Sequence, residues 1–191
     1  MREQLKIAFL MTVVTTVLLG IVYPLVVTGM AQVLFHDQAN GQLIERDGKV
    51  IGSRIIGQPF TGPEYFHSRP SAAGNGYDGL ASGGTNWGAT NKKLIDRVAA
   101  DLARVQAENP GAPVPIDLVT ASASGLDPHT SVAAADFQIP RIARERGMNE
   151  AELRSLISKH AHGREMGFLG EGRVNVVELN LELDQIHPRR R

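Results

Sequence analysis

The pattern of apolar and polar positions divides the chain into one unbroken apolar stretch and a long mixed remainder. From Ile7 to Phe35 the run IAFLMTVVTTVLLGIVYPLVVTGMAQVLF carries no charged residue. A bilayer core of roughly 30 Å is crossed by about 20 apolar residues in a helix, so this run spans with residues to spare and must tilt or project. Lipid offers no hydrogen-bond partners, which obliges a lone spanning segment to be helical. A cleaved secretory signal has an apolar region of only about 7–15 residues. The length of this run and Pro24 inside it therefore read as a retained anchor over residues 1–36, in spite of the small residues Gly29-Met30-Ala31. Thr12, Thr16, Gly20, Pro24 and Thr28 recur every four residues and form a candidate docking face for another membrane helix. Pro24 lacks an N–H and leaves the Gly20 carbonyl without its usual donor, which predicts a bend there.

The remainder, 37–191, alternates between short periodic runs and long stretches rich in glycine and proline. Asp37 to Gly48 is polar and reads as an exit segment, and Lys49 to Gly57 (KVIGSRIIG) as a strand or extended arm. The following stretch is irregular, punctuated by Pro59, Gly62, Pro63, Pro70, Asn75-Gly76 and Gly83-Gly84. Tyr65, Phe66, Tyr77 and Trp87 within it predict packing rather than disorder. Asn91 caps a helix to about Glu108, with Leu94, Ile95, Val98, Leu102 and Val105 as its apolar stripe. Ile116 to Ala121 reads as a buried strand. Ser131 caps a short helix to about Gln138, and Pro140 begins another that ends near Gly147. Asn149 and Glu152 resemble a capping box ahead of Leu153, Leu156 and Ile157. VELNLELD, Val177 to Asp184, alternates and predicts a strand with Val177, Leu179, Leu181 and Leu183 inward and Glu178, Asn180, Glu182 and Asp184 solvated. The fold class expected is α+β: a single N-terminal transmembrane helix, then one mixed α/β soluble domain with long Gly/Pro-rich loops.

Composition adds exclusions. Lys+Arg and Asp+Glu balance at 20 each, so no basic excess points to nucleic acid. There is no cysteine, which removes disulfides and thiolate metal sites. Arg189, Arg190 and Arg191 read as a short solvated tail. Arg2 and Lys6 against Glu3 favour a cytoplasmic N-terminus and an extracytoplasmic domain by the positive-inside rule.

Three constellations are candidates for chemistry. Gly83 to Thr90, GGTNWGAT, leads into a helix, but Ala89 stands where a phosphate-binding loop needs lysine. Ser122, Ser124, Asp127 and His129 crowd one turn, with residue types suited to a nucleophile, a base and an orienter. The motif G-x-S-x-G is absent there, and Asp127-Pro128 and Ser131 are good turn and cap residues in any case. A membrane-anchored serine hydrolase using Ser124 and His129 is the enzyme alternative. A nucleotide-binding regulator using Gly84 and Thr90 is the other. His160 and His162, two apart, bring no further ligand with them, and no metal site is expected.

The order of several short motifs identifies a resemblance. TTVLLGIVYPLVVTGMAQVLF, VIGSRIIGQPF, YFHSRPSA, SGGTNWGATN, VTASASGLDPHTSVAAADFQIPRIARERG and VNVVELNLELD run nearly end to end. Gly57-Gln58, Arg69-Pro70-Ser71, Asn86, Gly88, Thr90-Asn91 and Ser124-Gly125-Leu126-Asp127-Pro128-His129 carry it most specifically. Together they resemble the C subunit of the Kdp potassium-transporting ATPase, a bacterial P-type pump complex; Gln42 and Trp87 are minor departures. The resemblance implies a non-catalytic accessory subunit in the inner membrane. Its implied partners are a channel-like potassium-binding subunit, a P-type pump subunit and a small single-helix subunit. It also implies a role as catalytic chaperone that raises the pump subunit's affinity for ATP, with ATP and potassium handled by the complex and no cofactor held by this chain alone. Ser82, Gly83, Gly84, Asn86, Gly88, Thr90 and Asn91 are then a partner- or nucleotide-related loop, and Ser124, Asp127 and His129 an interaction turn. An exported domain would not meet cytoplasmic ATP directly, so any effect on it would pass through the membrane helix.

Overall fold

The computed structural model describes residues 1–188; the predicted tail Arg189–Arg191 lies outside the described residues. The chain divides into two compact units, Met1–Ile51 and a second from Gly52 onward.

The first unit is dominated by one continuous helix, Arg2–Leu34, long and apolar enough to cross a membrane and with none of its apolar window buried by the chain. It comprises α1 (Arg2–Thr15), a π-helical stretch (Thr16–Val22) and α2 (Tyr23–Leu34). The wide turns immediately precede Pro24, and the Tyr23 amide reaches back five residues to the Leu18 carbonyl. Widening of the helix is one way to accommodate a missing N–H. The Thr12 hydroxyl donates to the Ala8 carbonyl at 2.9 Å, so its proton is spent within its own helix.

Beyond the helix, α3 (His36–Ala39) is tied back by reciprocal amide bonds between Asn40 and Gln32. The segment expected to be only a polar exit then forms half of a hairpin, β1 (Leu43–Arg46) with β2 (Lys49–Ser53). Its turn is Asp47-Gly48, both at positive φ, a dipeptide suited to a tight hairpin.

The second unit is built mainly of helices: α4 (Lys92–Glu108), α5 (Val132–Arg146), α6 (Glu150–His160) and α7 (Val176–Ile186). A small antiparallel sheet has order β3-β5-β4, from His129–Ser131, Arg173–Asn175 and Ala161–His162. The main core joins Phe66 to Ile139 and Ile142 of α5, Leu153 and Ile157 of α6, and Leu179 and Leu183 of α7. Val105, Leu118, Ala134 and Phe137 form a smaller cluster between α4 and α5.

Several caps match the sequence reading. Asn91, Ser131 and Asn149 each accept an amide of the first turn of α4, α5 and α6. Gly147 closes α5 at φ 65°. The α4 stripe is only partly covered: Val105 is buried, while Ile95 and Leu102 remain 55% and 44% exposed.

Three elements differ from expectation. Val177 to Asp184 is helical, not a strand. Asn175 caps it by accepting from the Val177 and Glu178 amides, and the buried set Val176, Val177, Leu179, Asn180 and Leu183 follows the helical period. Four alternating positions cannot distinguish the two periods when an apolar residue precedes them. Ile116–Leu118 is a single 3-10 turn with Ile116 exposed; its amides are spent locally, Leu118 on the Pro115 carbonyl and Val119 and Thr120 on that of Ile116. Pro140 lies inside one helix rather than at the start of a second. Burial of Phe137, Gln138, Ile139, Arg141 and Ile142 around it outweighs the roughly 3 kcal/mol that an internal proline costs.

The supposed solvated face of α7 is engaged as well. Asn180 is fully buried. Glu178 pairs with Arg54 at 3.1 Å, Asp184 with Arg146 at 2.8 Å, and Glu182 with Lys159 and His160. The Lys159 and His160 bonds hold the Glu182 carboxyl below its usual range.

Residues 63–67 have no regular structure, yet the helices bind their backbone. Asn180 accepts from the Phe66 amide and donates to the Phe66 carbonyl, both at 2.9 Å. Gln138 does the same for His67, at 2.8 and 3.1 Å. Arg141 reaches the carbonyls of Pro63 and Tyr65, and Arg146 that of Glu64. Replacing Asn180→Leu leaves two buried backbone groups without partners. Each such group costs about 1–3 kcal/mol, so the denaturant midpoint of the full chain in detergent should fall by the equivalent of about 2–6 kcal/mol. An unchanged midpoint would show that the loop's backbone finds other partners.

Candidate functional site

The chemistry-bearing motifs converge on one cluster of loops in the second unit. The Ser122 amide donates to the Pro70 carbonyl and the Ala72 amide to the Ser122 carbonyl, both at 2.7 Å. The Gly83 amide donates to Ala123 at 3.0 Å and the Gly57 amide to Leu126 at 2.9 Å. Arg69 lies 3.6 Å from the Asp127 carboxylate, and the Tyr77 hydroxyl donates to the Arg69 carbonyl at 3.2 Å. Thus segments near residues 57, 70, 83 and 125, far apart in sequence, share one backbone network.

Two glycines make this approach possible. A methyl group on Gly57 would lie 2.6 Å from the Asp127 carbonyl and 2.8 Å from the Tyr77 ring. Gly125 sits at φ +73°, and a methyl there would lie 2.8 Å from the Ala81 carbonyl and 2.9 Å from Ala73. Gly84, by contrast, has room for a methyl at ordinary contact distance from Ala123.

The Ser122–His129 turn keeps its hydroxyls occupied. Ser122 donates to the Ser124 oxygen at 3.2 Å and accepts from the Ser124 amide; Ser124 accepts from the Leu126 amide at 3.0 Å. Asp127 accepts from the His129 amide at 3.0 Å, and its carboxylate lies 3.8 Å from the His129 ring. Among the described residues, Ser124 and His129 are not hydrogen-bonded to each other, so the structure brings Asp127 to His129 but not His129 to Ser124. Burial lowers the His129 pKa, with Asp127 opposing it. Asp117 bonds the Thr130 and Ser131 hydroxyls and the Ser131 amide, so with Asp127 it occupies donors along β3, an edge strand.

Ser82, Gly83, Gly84, Asn86, Gly88 and Thr90 are exposed. Asn91 is half-buried; its amide donates to the Gly88 carbonyl while its side chain caps α4. Asn86 is at φ 53°. The stretch is a turn leading into a helix, and among the described residues no strand lies between β2 and α4. His160 bonds Glu182 at 2.6 Å, and His162 lies on the exposed β4. Among the described residues, no group of three His, Asp or Glu is placed to hold a metal ion.

Two hollows flank the cluster. One, about 200 Å³, is lined by His67, Arg69, Tyr77, Asp101, Arg104 and Glu108. The other, about 480 Å³, is bounded by Arg69, Ile116, Asp127, His129, Glu171 and Arg173. Both mix cationic and anionic side chains. His67 is half-buried, and its Nε2 must carry the proton because it faces the Gly62 carbonyl at 2.9 Å. Burial first, and Arg141 second, lower its pKa.

The family profile described as K+-transporting ATPase, c chain (KdpC), matches residues 5–185. The chain belongs to this family. It is 64% identical over 188 residues to the potassium-transporting ATPase KdpC subunit of Koribacter versatilis, covering 98% of this chain and 97% of that protein. It is 55% identical to the subunit of the same name from Acidobacterium capsulatum, over 97% of this chain and all of the relative. A third, from Mycobacterium bovis, is 52% identical over 97% of this chain. The resemblance read from the short motifs is therefore correct at the level of the family, and three of those motifs, around Gly57, Arg69–Ser71 and Ser124–His129, meet in the loop cluster. Of the residues that bind the loop, Gln138, Arg141 and Arg146 were not singled out from the sequence, and Asn180 was expected to be solvated. Their signal was a polar side chain set within an otherwise apolar helix face.

Two outcomes are expected. Gly125→Ala adds both a left-handed alanine and a clash, and should destabilise the second unit by about 2–4 kcal/mol; Gly84→Ala should stay within about 0.5 kcal/mol. Denaturant titration of the two variants separates a structural glycine from a permissive one. For pH, His67 has a folded pKa below its unfolded value of 6.5. The unfolded chain then binds the proton more readily, so stability should decline as pH falls below 6.5 and level off beneath the folded value. His67→Gln should flatten that slope relative to the parent, as read from Tm against pH.

Proposed function

We propose that this chain is a non-catalytic accessory subunit that assembles and couples an ATP-driven potassium importer. The observation that carries the reading is the family match over residues 5–185. The bare helix Arg2–Leu34 supports the manner of attachment, since none of its apolar window is buried among the described residues. In this reading the N-terminus is cytoplasmic, as the Arg2 and Lys6 flank favours, and the second unit is extracytoplasmic. The helix docks on membrane helices of the complex through Thr12, Thr16, Gly20, Pro24 and Thr28. The loop cluster around Gly57, Ser82–Gly84 and Ser124–His129 presents a fixed surface to the outer loops of a channel-like potassium-binding subunit. A P-type pump subunit carries the phosphoryl chemistry, and a small single-helix subunit completes the complex.

Effects on the ATP affinity of the pump subunit then travel as a coupling free energy through the membrane helix, without nucleotide contact by the second unit. Deleting the chain should abolish potassium-stimulated ATP hydrolysis by the purified complex, and the chain alone should hydrolyse neither ATP nor esters. Ester turnover by the isolated full chain, lost in Ser124→Ala, would contradict this. Gly20→Leu should weaken co-purification with the other subunits by roughly threefold or more, equivalent to about 0.6 kcal/mol. Undiminished co-purification would remove the docking face.

A further inference from the structure

The tip of the stretch between β4 and β5 has no role in the reading above, although its base, at Glu171 and Arg173, borders the second hollow. Its tip exposes three large apolar side chains: Met166 at 86%, Phe168 at 69% and Leu169 at 50%. Gly163, Gly167 and Gly170 have nothing within 4 Å of where a Cβ would sit, so the segment projects freely. Such exposure is ordinarily a sign of something that covers it.

The tip is nevertheless well braced. Glu165 and Leu169 exchange two backbone hydrogen bonds at 2.9 Å, and the Gly167 and Phe168 amides are satisfied by Arg164 and Glu165. Below the tip, Arg164 pairs with Glu171 at 2.7 Å and Arg173 with Glu165 at 3.1 Å. The base is fixed by the β4–β5 ladder, where Ala161 faces the fully buried Val174. The order from tip to base is thus an uncharged apolar end over Met166–Gly170, a collar of mutually paired charges, and a rooted ladder.

We propose that this hairpin tip inserts into the headgroup region of the lipid bilayer. Three arguments favour lipid over a protein partner. The exposed apolar area is on the order of 400 Å², about half of the roughly 800 Å² per partner that a self-standing protein interface uses. Four amides, those of Glu165, Gly167, Phe168 and Leu169, are already bonded within the tip, which lowers the cost of withdrawing it from water into the headgroup region. The charges stop at the collar, as in segments that rest at an interface with the polar part in water. A weak contact suffices, because a chain held by a spanning helix meets the bilayer at high effective concentration. The proposal rests on the anchored reading of the first unit.

The absence of native cysteine makes the test direct. The full chain carrying Phe168→Cys or Met166→Cys is labelled with an environment-sensitive fluorophore and reconstituted alone into phosphatidylcholine–phosphatidylglycerol vesicles. Both positions are exposed, so neither variant threatens the fold. With lipids brominated at shallow acyl positions, at the depth of about 5–10 Å typical of interfacial segments, roughly half of the emission should be lost at both sites. If the chain floats with the vesicles but neither probe is quenched by lipid, the tip does not insert and the proposal fails. Shielding from aqueous iodide only when the transport subunits are co-reconstituted, without lipid quenching, would make the tip a protein contact and equally overturn it. Failure of the chain to float with vesicles would instead strike at the anchor itself.

Discussion

The second unit depends on satisfying the backbone of an irregular stretch without a sheet to do it. Between Ser53 and Lys92 the chain forms neither a helix nor a regular strand, yet Tyr65 and Phe66 are buried within the core. Buried amides and carbonyls that lack partners each cost on the order of 1–3 kcal/mol, so such a stretch cannot enter a core unaided. The helices supply the partners from their side chains. Gln138 and Asn180 each act as a surrogate strand, offering one acceptor and one donor to a single residue of the loop. Arg141 and Arg146 gather the carbonyls of Pro63, Glu64 and Tyr65, just ahead of those two residues, and their charges are balanced by Glu108 and Asp184. Polar side chains inside α5 and α7 are therefore part of the core rather than exceptions to it.

This arrangement sets the position of everything downstream. With residues 63–67 fixed, Arg69 and Pro70 are delivered to the Ser122–Asp127 turn, and Gly57 and Gly125 allow the backbones to close on one another. The resulting surface consists of tightly bonded turns. Its serine hydroxyls and aspartate carboxylates are engaged in shaping those turns, which suits a surface that is recognised more than one that reacts. The membrane helix has the opposite character, since none of its apolar window is covered by its own chain. One unit is internally complete, and the other calls for lipid or neighbouring helices.

Much of this was legible in the residues, and the limits have physical causes. The anchor helix is visible because no charged residue interrupts it, and the caps Asn91, Ser131 and Asn149 because their side chains act on adjacent amides. The hairpin at Asp47-Gly48 was missed, because the polar residues of 37–48 were read only as an exit from the helix. α7 was misread because VELNLELD alternates while its capping residue, Asn175, lies just outside the window. Pro140 was misplaced because local cost was weighed without the tertiary burial that overrides it. The convergence of loops on Ser122–His129 lay beyond sequence reasoning, since those contacts join positions separated by tens of residues. The motifs nonetheless marked the right segments, and their order placed the chain in its family.

The central claim is that residues 63–67 are held by helix side chains as firmly as a strand is held by its neighbours. Amide hydrogen exchange on the full chain tests it most directly. The Phe66 and His67 amides should exchange only with the slow opening that governs the α5 core, although they belong to no helix or sheet. Exchange at these two amides as fast as in the exposed Ser82–Gly84 stretch would contradict the account.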